Sequence, residues 1–331
     1  MARSPDPYRA YLAARHARFA VPAEAIRAVV RSVAGAEPTA LRRIVRGHDN
    51  EVYAVEAPPG YPLVVRIHRA GEISLAEEAW ALAQARAAGV PVPEVRSVGR
   101  IGDADGKPLE IMVQTRVPGR SLADVRSRLS PGQWSDALAN IGRVLTRLHA
   151  VRVGGFWHRE PDGRWMFPTW AAVMASTLHN RTAEAPWLGQ GGLTNAECAA
   201  VFAAIDRYGR EFDCPSPVLC HGDLLPEHVF VDDRLNVTGV IDFGLFEGNH
   251  PVHDLAVMSM SLGGADVRAV IGGFSLWDEP RAAVERRLAF HLVTLLAGYL
   301  AHHARIAGHP EVPHYRDRLR AALADLDRSA R

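Results

Sequence analysis

HGDLLPEHVFVDDRLNVTGVIDFG, from His221 to Gly244, is the stretch of this sequence that decides the fold. It holds two short apolar runs, HVFVDD and NVTGVIDF, separated by a polar turn, and this pattern predicts a buried β-hairpin. Asp223 lies in the loop before the first run, and Asp242 ends the second. Phosphoryl transfer uses one carboxylate to orient an attacking hydroxyl and another to hold magnesium. The spacing therefore predicts a catalytic base at Asp223 and a metal ligand at Asp242.

The same residues resemble the aminoglycoside phosphotransferase family, whose motifs are H-G-D-x-x-x-x-N followed by I-D-[FW]. The match comprises HGD at 221–223 and ID at 241–242, and PVHDLA extends it to Asp254, which opens the next helix in the family. In protein kinases the corresponding motifs are the catalytic loop and the D-F-G turn. The resemblance implies an α+β, protein-kinase-like fold of two lobes. The N-terminal lobe would be a β-sheet with one helix, and the C-terminal lobe would be mainly helical.

The sequence around this stretch divides into a strand-rich part and a helix-rich part. LRRIVRGH, EVYAVEA and YPLVVRIHR predict a β-meander, residues 72–88 predict a helix, and PEVRSVGRI and PLEIMVQTR predict two further strands. After Pro118-Gly119 the apolar period becomes helical. The expected helices are Gln133 to Ala150, Thr169 to Asn180, Thr194 to Phe212 and a pair from Pro280 to the end. We predict a nucleotide-binding lobe over 1–116 and a catalytic, acceptor-binding lobe over 117–331.

Five residues of the first lobe are candidates for nucleotide binding. Arg66 in LVVRIH occupies the position of the kinase strand lysine, and Glu78 occupies that of its ion-pair partner. Arginine keeps the charge but differs from lysine in reach and geometry, so Arg66 could also be an ordinary strand cation. Asn50 ends a Gly-His-Asp-Asn turn that either covers phosphates or only joins two strands. Gln114 and Arg116 lie at the expected hinge, where backbone groups would bind the base.

His228 is the main departure from the family motif, because it stands in place of the asparagine that binds a second magnesium. Magnesium prefers oxygen ligands, so imidazole is a poorer direct ligand. Macrolide phosphotransferases resemble this chain in having a histidine in the catalytic loop. His228 is therefore interpreted as an assistant to the metal or the phosphate, with an ordinary strand-edge histidine as the alternative.

The expected acceptor region is rich in aromatic residues. GGFWHREPDGRWMFPTW and Trp187 fall where the family inserts the helices of its acceptor pocket. Most buried aromatic residues belong to a core. If part of this group lines the pocket instead, it favours an acceptor with apolar surface.

Composition points to a cytoplasmic globular protein. The 331 residues carry a net charge of +1, are 48% hydrophobic, and include three cysteines without a paired metal-ligand spacing. The first residues, MARSPDPYRAYLAARH, lack the apolar run of a leader peptide. We expect no nucleic-acid partner and no membrane segment.

The combined prediction is an enzyme that uses ATP or GTP with Mg²⁺ to phosphorylate a free hydroxyl of a small molecule. Within the family the acceptor would be an antibiotic, either an aminoglycoside or a macrolide. A metabolic kinase of the choline, fructosamine or homoserine type is the first alternative. A pseudokinase binding module is the second, because both Arg66 and His228 depart from the kinase pattern. The sequence does not determine the oligomeric state.

Overall fold

The structure is a computed structural model of the chain, and it forms two compact units. Unit 1 comprises Met1–Asp124 and His228–Leu245, and unit 2 comprises Val125–Glu227 and Phe246–Arg331. The residues that the structure describes are 13–17, 21–45, 50–58, 62–69, 73–275, 281–306 and 308–329. The first three residues of the expected Gly-His-Asp-Asn turn, 47–49, lie outside these ranges.

Unit 1 is built on a five-stranded antiparallel sheet in the order β1-β2-β3-β5-β4. Its strands are β1 (Ala40–Ile44), β2 (Asn50–Glu56), β3 (Leu63–His68), β4 (Val95–Gly102) and β5 (Pro108–Thr115). Side chains alternate between the faces of a strand, and one face packs on helix α1 (Ala23–Ala34) through Ile26 and Val30. The expected meander and the two further strands are confirmed.

Helix α2 (Leu75–Ala87) is the helix expected between β3 and β4. It begins after Ser74, whose side chain accepts a hydrogen bond from the Glu77 amide and so satisfies one of the open N–H groups of the first turn. Glu72, the expected start, lies outside the described residues. The helix ends before Gly89, which has a φ of +79°.

The hairpin predicted from HVFVDD and NVTGVIDF is confirmed as β10 (Val229–Val231) paired with β11 (Val237–Val240). The short strand β6 (Arg120–Ser121) also pairs with β10, and the Val240 amide donates to the Pro91 carbonyl. These bonds attach the hairpin to unit 1. The predicted boundary at 116/117 placed it with the helical lobe, so the division by contacts differs from the division by sequence order.

Unit 2 is mainly helical. The four-residue helix α3 (Leu122–Val125) spans the division between the units along the chain. The described helices of unit 2 with eight residues or more are α4 (Pro131–Leu148), α5 (Trp170–His179), α6 (Arg181–Gln190), α7 (Asn195–Glu211), α8 (Val252–Ser259), α9 (Gly264–Gly273), α10 (Arg281–Ala304) and α11 (Val312–Ser329). The expected helices are present with ends shifted by one or two residues. Helices α6 and α9 were not predicted, and Pro186 interrupts the pattern of α6.

A small antiparallel sheet completes unit 2, in the order β8-β7-β12-β9. Its strands are β7 (Phe156–Arg159), β8 (Trp165–Phe167), β9 (Val218–Cys220) and β12 (Glu247–Asn249). Strand β9 ends where the HGD motif begins. A sheet-based unit followed by a mainly helical unit confirms the α+β fold class.

Among the described helices, none is both long enough and apolar enough to cross a membrane.

Candidate active site

Unit 1 brings together three of the predicted site residues, Arg66, Glu78 and Asp242. On β3 the residues Leu63, Val65 and Ile67 face the core, and the alternation of the strand turns Arg66 to the other face. Arg66 Nη1 donates to Glu78 Oε1 on α2, and Nη2 donates to Asp242 Oδ1 at 2.8 Å.

Electrostatics of this cluster favour an additional cation. Burial acts to lower the pKa of Arg66, but the charges of Glu78 and Asp242 outweigh it and raise that pKa, so the guanidinium stays charged. One arginine therefore faces two carboxylates, and burial, together with the charge of Asp242, raises the pKa of Glu78. With both carboxylates ionised, the three groups carry a formal excess of one negative charge. The Asp242 side chain is 40% exposed, whereas Glu78 is buried. Asp242 is thus the carboxylate of this cluster that a solvent ion can reach.

The backbone at Asp242 is held in an unusual conformation. Its φ is +70°, in the left-handed region that residues other than glycine rarely adopt. The amide of the next residue, Phe243, donates to the Glu78 carboxylate. A strained residue persists when its surroundings hold it, and such residues concentrate at functional sites.

His228 lies beside Asp242, at the end of a short 3₁₀ helix (Pro226–His228). Its Nε2 is 3.8 Å from Asp242 Oδ2, and the Ile241 amide donates to its carbonyl at 3.0 Å. The structure therefore places this histidine next to the predicted metal ligand. Imidazole and carboxylate together offer one nitrogen and one or two oxygens to an ion.

The other predicted nucleotide contacts lie elsewhere on the sheet of unit 1. Asn50 Oδ1 and Gln114 Oε1 are both buried, and within the described residues neither accepts a hydrogen bond. Buried acceptors without partners are uncommon in folded proteins. Arg116 is paired with Glu56 at the surface, and its amide donates to the Pro62 carbonyl. The backbone of Arg116 can therefore offer a base only its carbonyl oxygen.

In unit 2, the HGD loop is organised around Asp254 at the start of α8. One carboxylate oxygen accepts from the Gly222 amide at 2.9 Å. The other accepts from the His221 amide at 3.0 Å and from His149 Nε2 at 2.8 Å. Gly222 has a φ of +79°, which glycine adopts without strain. Asp254 thus braces the loop from the start of α8.

His221 shapes the same loop from inside. Its ring is fully buried, and Nδ1 accepts a hydrogen bond from the Asp223 amide at 3.2 Å. The neutral ring therefore carries its proton on Nε2. The Asp223 backbone is held by this bond, while its side chain is half-buried rather than enclosed.

Burial acts to raise the pKa of Asp254, but the hydrogen bond and charge of His149 lower it to about 2. The folded pKa is below the usual value, so the stabilisation is complete above about pH 4 and is lost as the pH falls towards 2.

We expect Asp254→Asn to lower the free energy of unfolding by about 3 kcal/mol or more at neutral pH, because the amide group would face donors. Urea denaturation measures this, with the exposed Asp136→Asn as the matched control. Equal losses in the two variants would contradict the bracing role.

The sequence analysis missed two polar residues of unit 2, Tyr299 and Glu247. Burial, followed by the charges of Asp223 and Glu247, raises the pKa of Tyr299 on α10. Glu247 itself bonds His253 Nε2 at 2.9 Å and Asn249 Nδ2 at 2.6 Å. The only sequence signal for Glu247 was an acidic residue in an apolar stretch just after the second motif. Tyr299 lies near the C-terminal end of a long helix, and no motif or pattern in the sequence marked it.

The aromatic residues expected at the acceptor pocket divide between core and surface. Phe156 and Trp170 are buried in the core of unit 2, as the core alternative proposed. Trp157 is 38% exposed and has a φ of +67°. A cavity of about 700 Å³ lies against Phe156 and Trp170. It is lined by the residues that precede β9, at the opposite end of that strand from the HGD loop, and Asp223 does not line it.

Comparison with known proteins agrees with this geometry. The family described as "Phosphotransferase enzyme family" matches residues 40–291 of the chain. Among curated proteins, none matches the sequence significantly.

Solved structures show the same fold at low sequence identity. One is a thermostable mutant of aminoglycoside phosphotransferase APH(4)-Ia in ternary complex with ADP and hygromycin B. It is 15% identical in sequence, the match covers 91% of this chain and 98% of that protein, and the TM-score is 0.69. A putative fructosamine-3-kinase from Thermobifida fusca YX-ER1 is 21% identical over 92% and 100%, with a TM-score of 0.63. Macrolide 2'-phosphotransferase MphH from Brachybacterium faecium is 19% identical over 91% and 97%, with a TM-score of 0.57. The predicted kinase-like fold is confirmed.

Proposed function

This chain belongs to the phosphotransferase enzyme family, and on that basis we propose that it transfers the terminal phosphoryl group of ATP or GTP to a hydroxyl group of a small-molecule antibiotic. The observation that carries the proposal is the cluster of Arg66, Glu78 and Asp242, in which a buried arginine faces two carboxylates. A purely structural ion pair needs one acid for one base. The second acid, on a strained and partly exposed residue, suits a cation-binding role.

The residues of unit 1 fit a magnesium-bound nucleotide. Asp242 would hold the ion with His228 beside it, and Arg66 would contact a phosphate, with Glu78 fixing the direction of the guanidinium. The buried acceptors of Asn50 and Gln114 could take hydrogen bonds from a nucleotide, which would satisfy two oxygens that accept none from the described part of the chain. When bound, the ion would neutralise charge on the phosphates.

Asp223 of unit 2 would act on the acceptor. A carboxylate at this position accepts a hydrogen bond from the acceptor hydroxyl, orients its oxygen towards the phosphorus, and takes the proton as transfer proceeds. The loop backbone that carries Asp223 is fixed by His221 and Asp254. A fixed backbone suits this task because misplacement of a base by about 1 Å can cost a hundredfold in rate.

The acceptor class is proposed from the relatives and from the charges around Asp223. Relatives of this fold include enzymes named for aminoglycosides and for macrolides. The partly exposed carboxylate of Asp223 suits a cationic amino group, while the exposed Trp157 suits an apolar ring. Both antibiotic classes therefore stay within the proposal.

A metabolic acceptor is the second candidate. The neighbour with the highest identity among the three is a putative fructosamine-3-kinase, at 21%. Fructosamines also combine an amine with several hydroxyl groups, so the carboxylate of Asp223 would suit them as well.

An acceptor panel tests the proposal. Nucleotide consumption is measured with ATP and with GTP in the presence of aminoglycosides, macrolides, fructosamines, choline and homoserine. We expect acceptor-dependent turnover with an aminoglycoside or a macrolide and a phosphorylated product in mass spectrometry. Turnover only with the metabolites would refute the antibiotic assignment. Nucleotide binding without turnover on any acceptor would favour the pseudokinase alternative.

The proposal also places the enzyme in the cytoplasm, where nucleotide triphosphates are available. The three cysteines are buried as free thiols, which agrees with a reducing compartment.

A further inference from the structure

The corner between α10 and α11 in unit 2 brings together three side chains that commonly bind metals. One ring nitrogen of His303, one ring nitrogen of His309 and one carboxylate oxygen of Glu311 all lie within 4.8 Å of one another. His303 belongs to the last turn of α10, and the other two residues lie in the corner before α11. The two histidine rings have centroids 4.3 Å apart. This group takes no part in the proposed phosphoryl transfer.

The His303 ring has the tautomer that a metal ligand requires. Its Nδ1 is 2.8 Å from the Tyr299 carbonyl oxygen, which can only accept a hydrogen bond. Nδ1 therefore carries the proton, and in the neutral ring the lone pair is on Nε2. Metal-binding histidines are usually oriented in this way, with the second ring nitrogen donating to a carbonyl or a carboxylate.

The other two ligands are also oriented by hydrogen bonds. The Tyr315 hydroxyl, in the first turn of α11, donates to Glu311 Oε2 at 3.0 Å. The Glu311 amide donates to His309 Nδ1 at 3.4 Å, which is at the long limit of a hydrogen bond. A small rotation of the His309 ring would exchange this weak bond for a metal contact.

Backbone hydrogen bonds link the described residues of the corner. The Ile306 amide donates to the His303 carbonyl at 3.0 Å, and the His309 amide donates to the Ile306 carbonyl at 3.1 Å. The Val312 amide then donates to the His309 carbonyl at 3.4 Å. Glu311 is exposed and both histidines are partly exposed, so an ion can enter from solvent.

We propose that His303, His309 and Glu311 bind a divalent transition-metal ion of the zinc type and that this ion clamps α10 to α11. Two imidazoles and one carboxylate form a common protein ligand set for Zn²⁺, with water in the fourth position. Two nitrogen ligands make the site a poor one for magnesium or calcium. Zinc bonds of about 2.0–2.2 Å place the ligand atoms of a tetrahedron roughly 3.4 Å apart. The three ligand atoms, which lie within 4.8 Å of one another, must therefore move slightly closer together to bind zinc.

Calorimetric titration of the full chain with zinc chloride, after chelator treatment and buffer exchange, tests the proposal. We expect one saturable site in the wild type. His303→Gln and Glu311→Gln should each weaken binding by about tenfold or more, since loss of even an outer-shell partner commonly has an effect of this size. Zinc should raise the Tm of the wild type but leave that of His303→Gln unchanged. Equal Tm values in chelator verify that the variants are folded. Glu311→Gln changes an exposed side chain, so it provides a second test if His303→Gln lowers stability.

Two controls separate this site from other histidines. His179→Gln removes an exposed histidine at the end of α5 and should leave zinc binding unchanged. Asp242→Ala removes the candidate ion site of unit 1 and should likewise leave the corner site intact. The proposal is overturned by the absence of saturable binding, by unchanged affinity in His303→Gln, or by loss of the site in Asp242→Ala.

Discussion

Replacement of Asp223 by asparagine is expected to lower kcat by about a hundredfold or more while leaving the nucleotide Kd nearly unchanged. The amide keeps the size of the carboxylate but can no longer take a proton from the acceptor hydroxyl. The loop should keep its shape, because His221 Nδ1 accepts a hydrogen bond from the Asp223 amide and Asp254 accepts hydrogen bonds from the amides of His221 and Gly222. The loss should therefore appear in turnover rather than in stability or nucleotide affinity.

Steady-state kinetics with the acceptor identified by the panel measure this effect, and calorimetry measures the Kd for nucleotide. The matched control is Asp206→Asn, which removes an exposed carboxylate from α7 in the same unit. It should retain wild-type turnover. If Asp223→Asn kept full turnover, Asp223 could not be the base.

Asp242→Ala is expected to weaken the binding of nucleotide in the presence of magnesium by about tenfold or more, because it removes the carboxylate that would hold the ion. Binding without magnesium should change much less. The variant leaves Arg66 paired with Glu78 alone, so the buried charges become balanced. We therefore expect the free energy of unfolding without ligand to stay the same or to rise.

Calorimetric titration with and without magnesium, together with urea denaturation, measures both parts of this expectation. Asp233→Ala is the matched control, because Asp233 is an exposed carboxylate in the turn of the same hairpin. Equal affinity for magnesium nucleotide in wild type and Asp242→Ala would contradict the assignment. A large loss of stability would instead indicate that Asp242 serves only to neutralise Arg66.

Short-range sequence patterns predicted a large part of this protein. The β10–β11 hairpin follows from alternating apolar residues and a polar turn, which are local properties. The same holds for α2, since Ser74 and Gly89 mark its ends. The spacing between Asp223 and Asp242 also lies within one such segment, so both candidates could be named from the chain alone.

Other features depend on residues far apart in the sequence. His149 and Asp254 are separated by 105 residues, and their bond under the HGD loop follows only from the packing of α4 against the rest of unit 2. Arg66 and Asp242 are 176 residues apart. The resemblance suggested a partner for Arg66 on α2, but it did not indicate that the same guanidinium also bonds Asp242. Their contact requires the hairpin to return to unit 1, which sequence order does not reveal.

Local patterns also did not determine whether an individual side chain is buried or exposed. Phe156 and Trp157 are neighbours in an aromatic run, yet one is in the core and the other is at the surface. The polar sequence that contains His303, His309 and Glu311 indicates only an ordinary connection between two helices. Periodicity and turn residues specify which segments become helices and strands, because those preferences act between near neighbours. Which side chains meet, and which polar atoms stay without a partner, depends on distant segments packing together, and no local pattern encodes that packing.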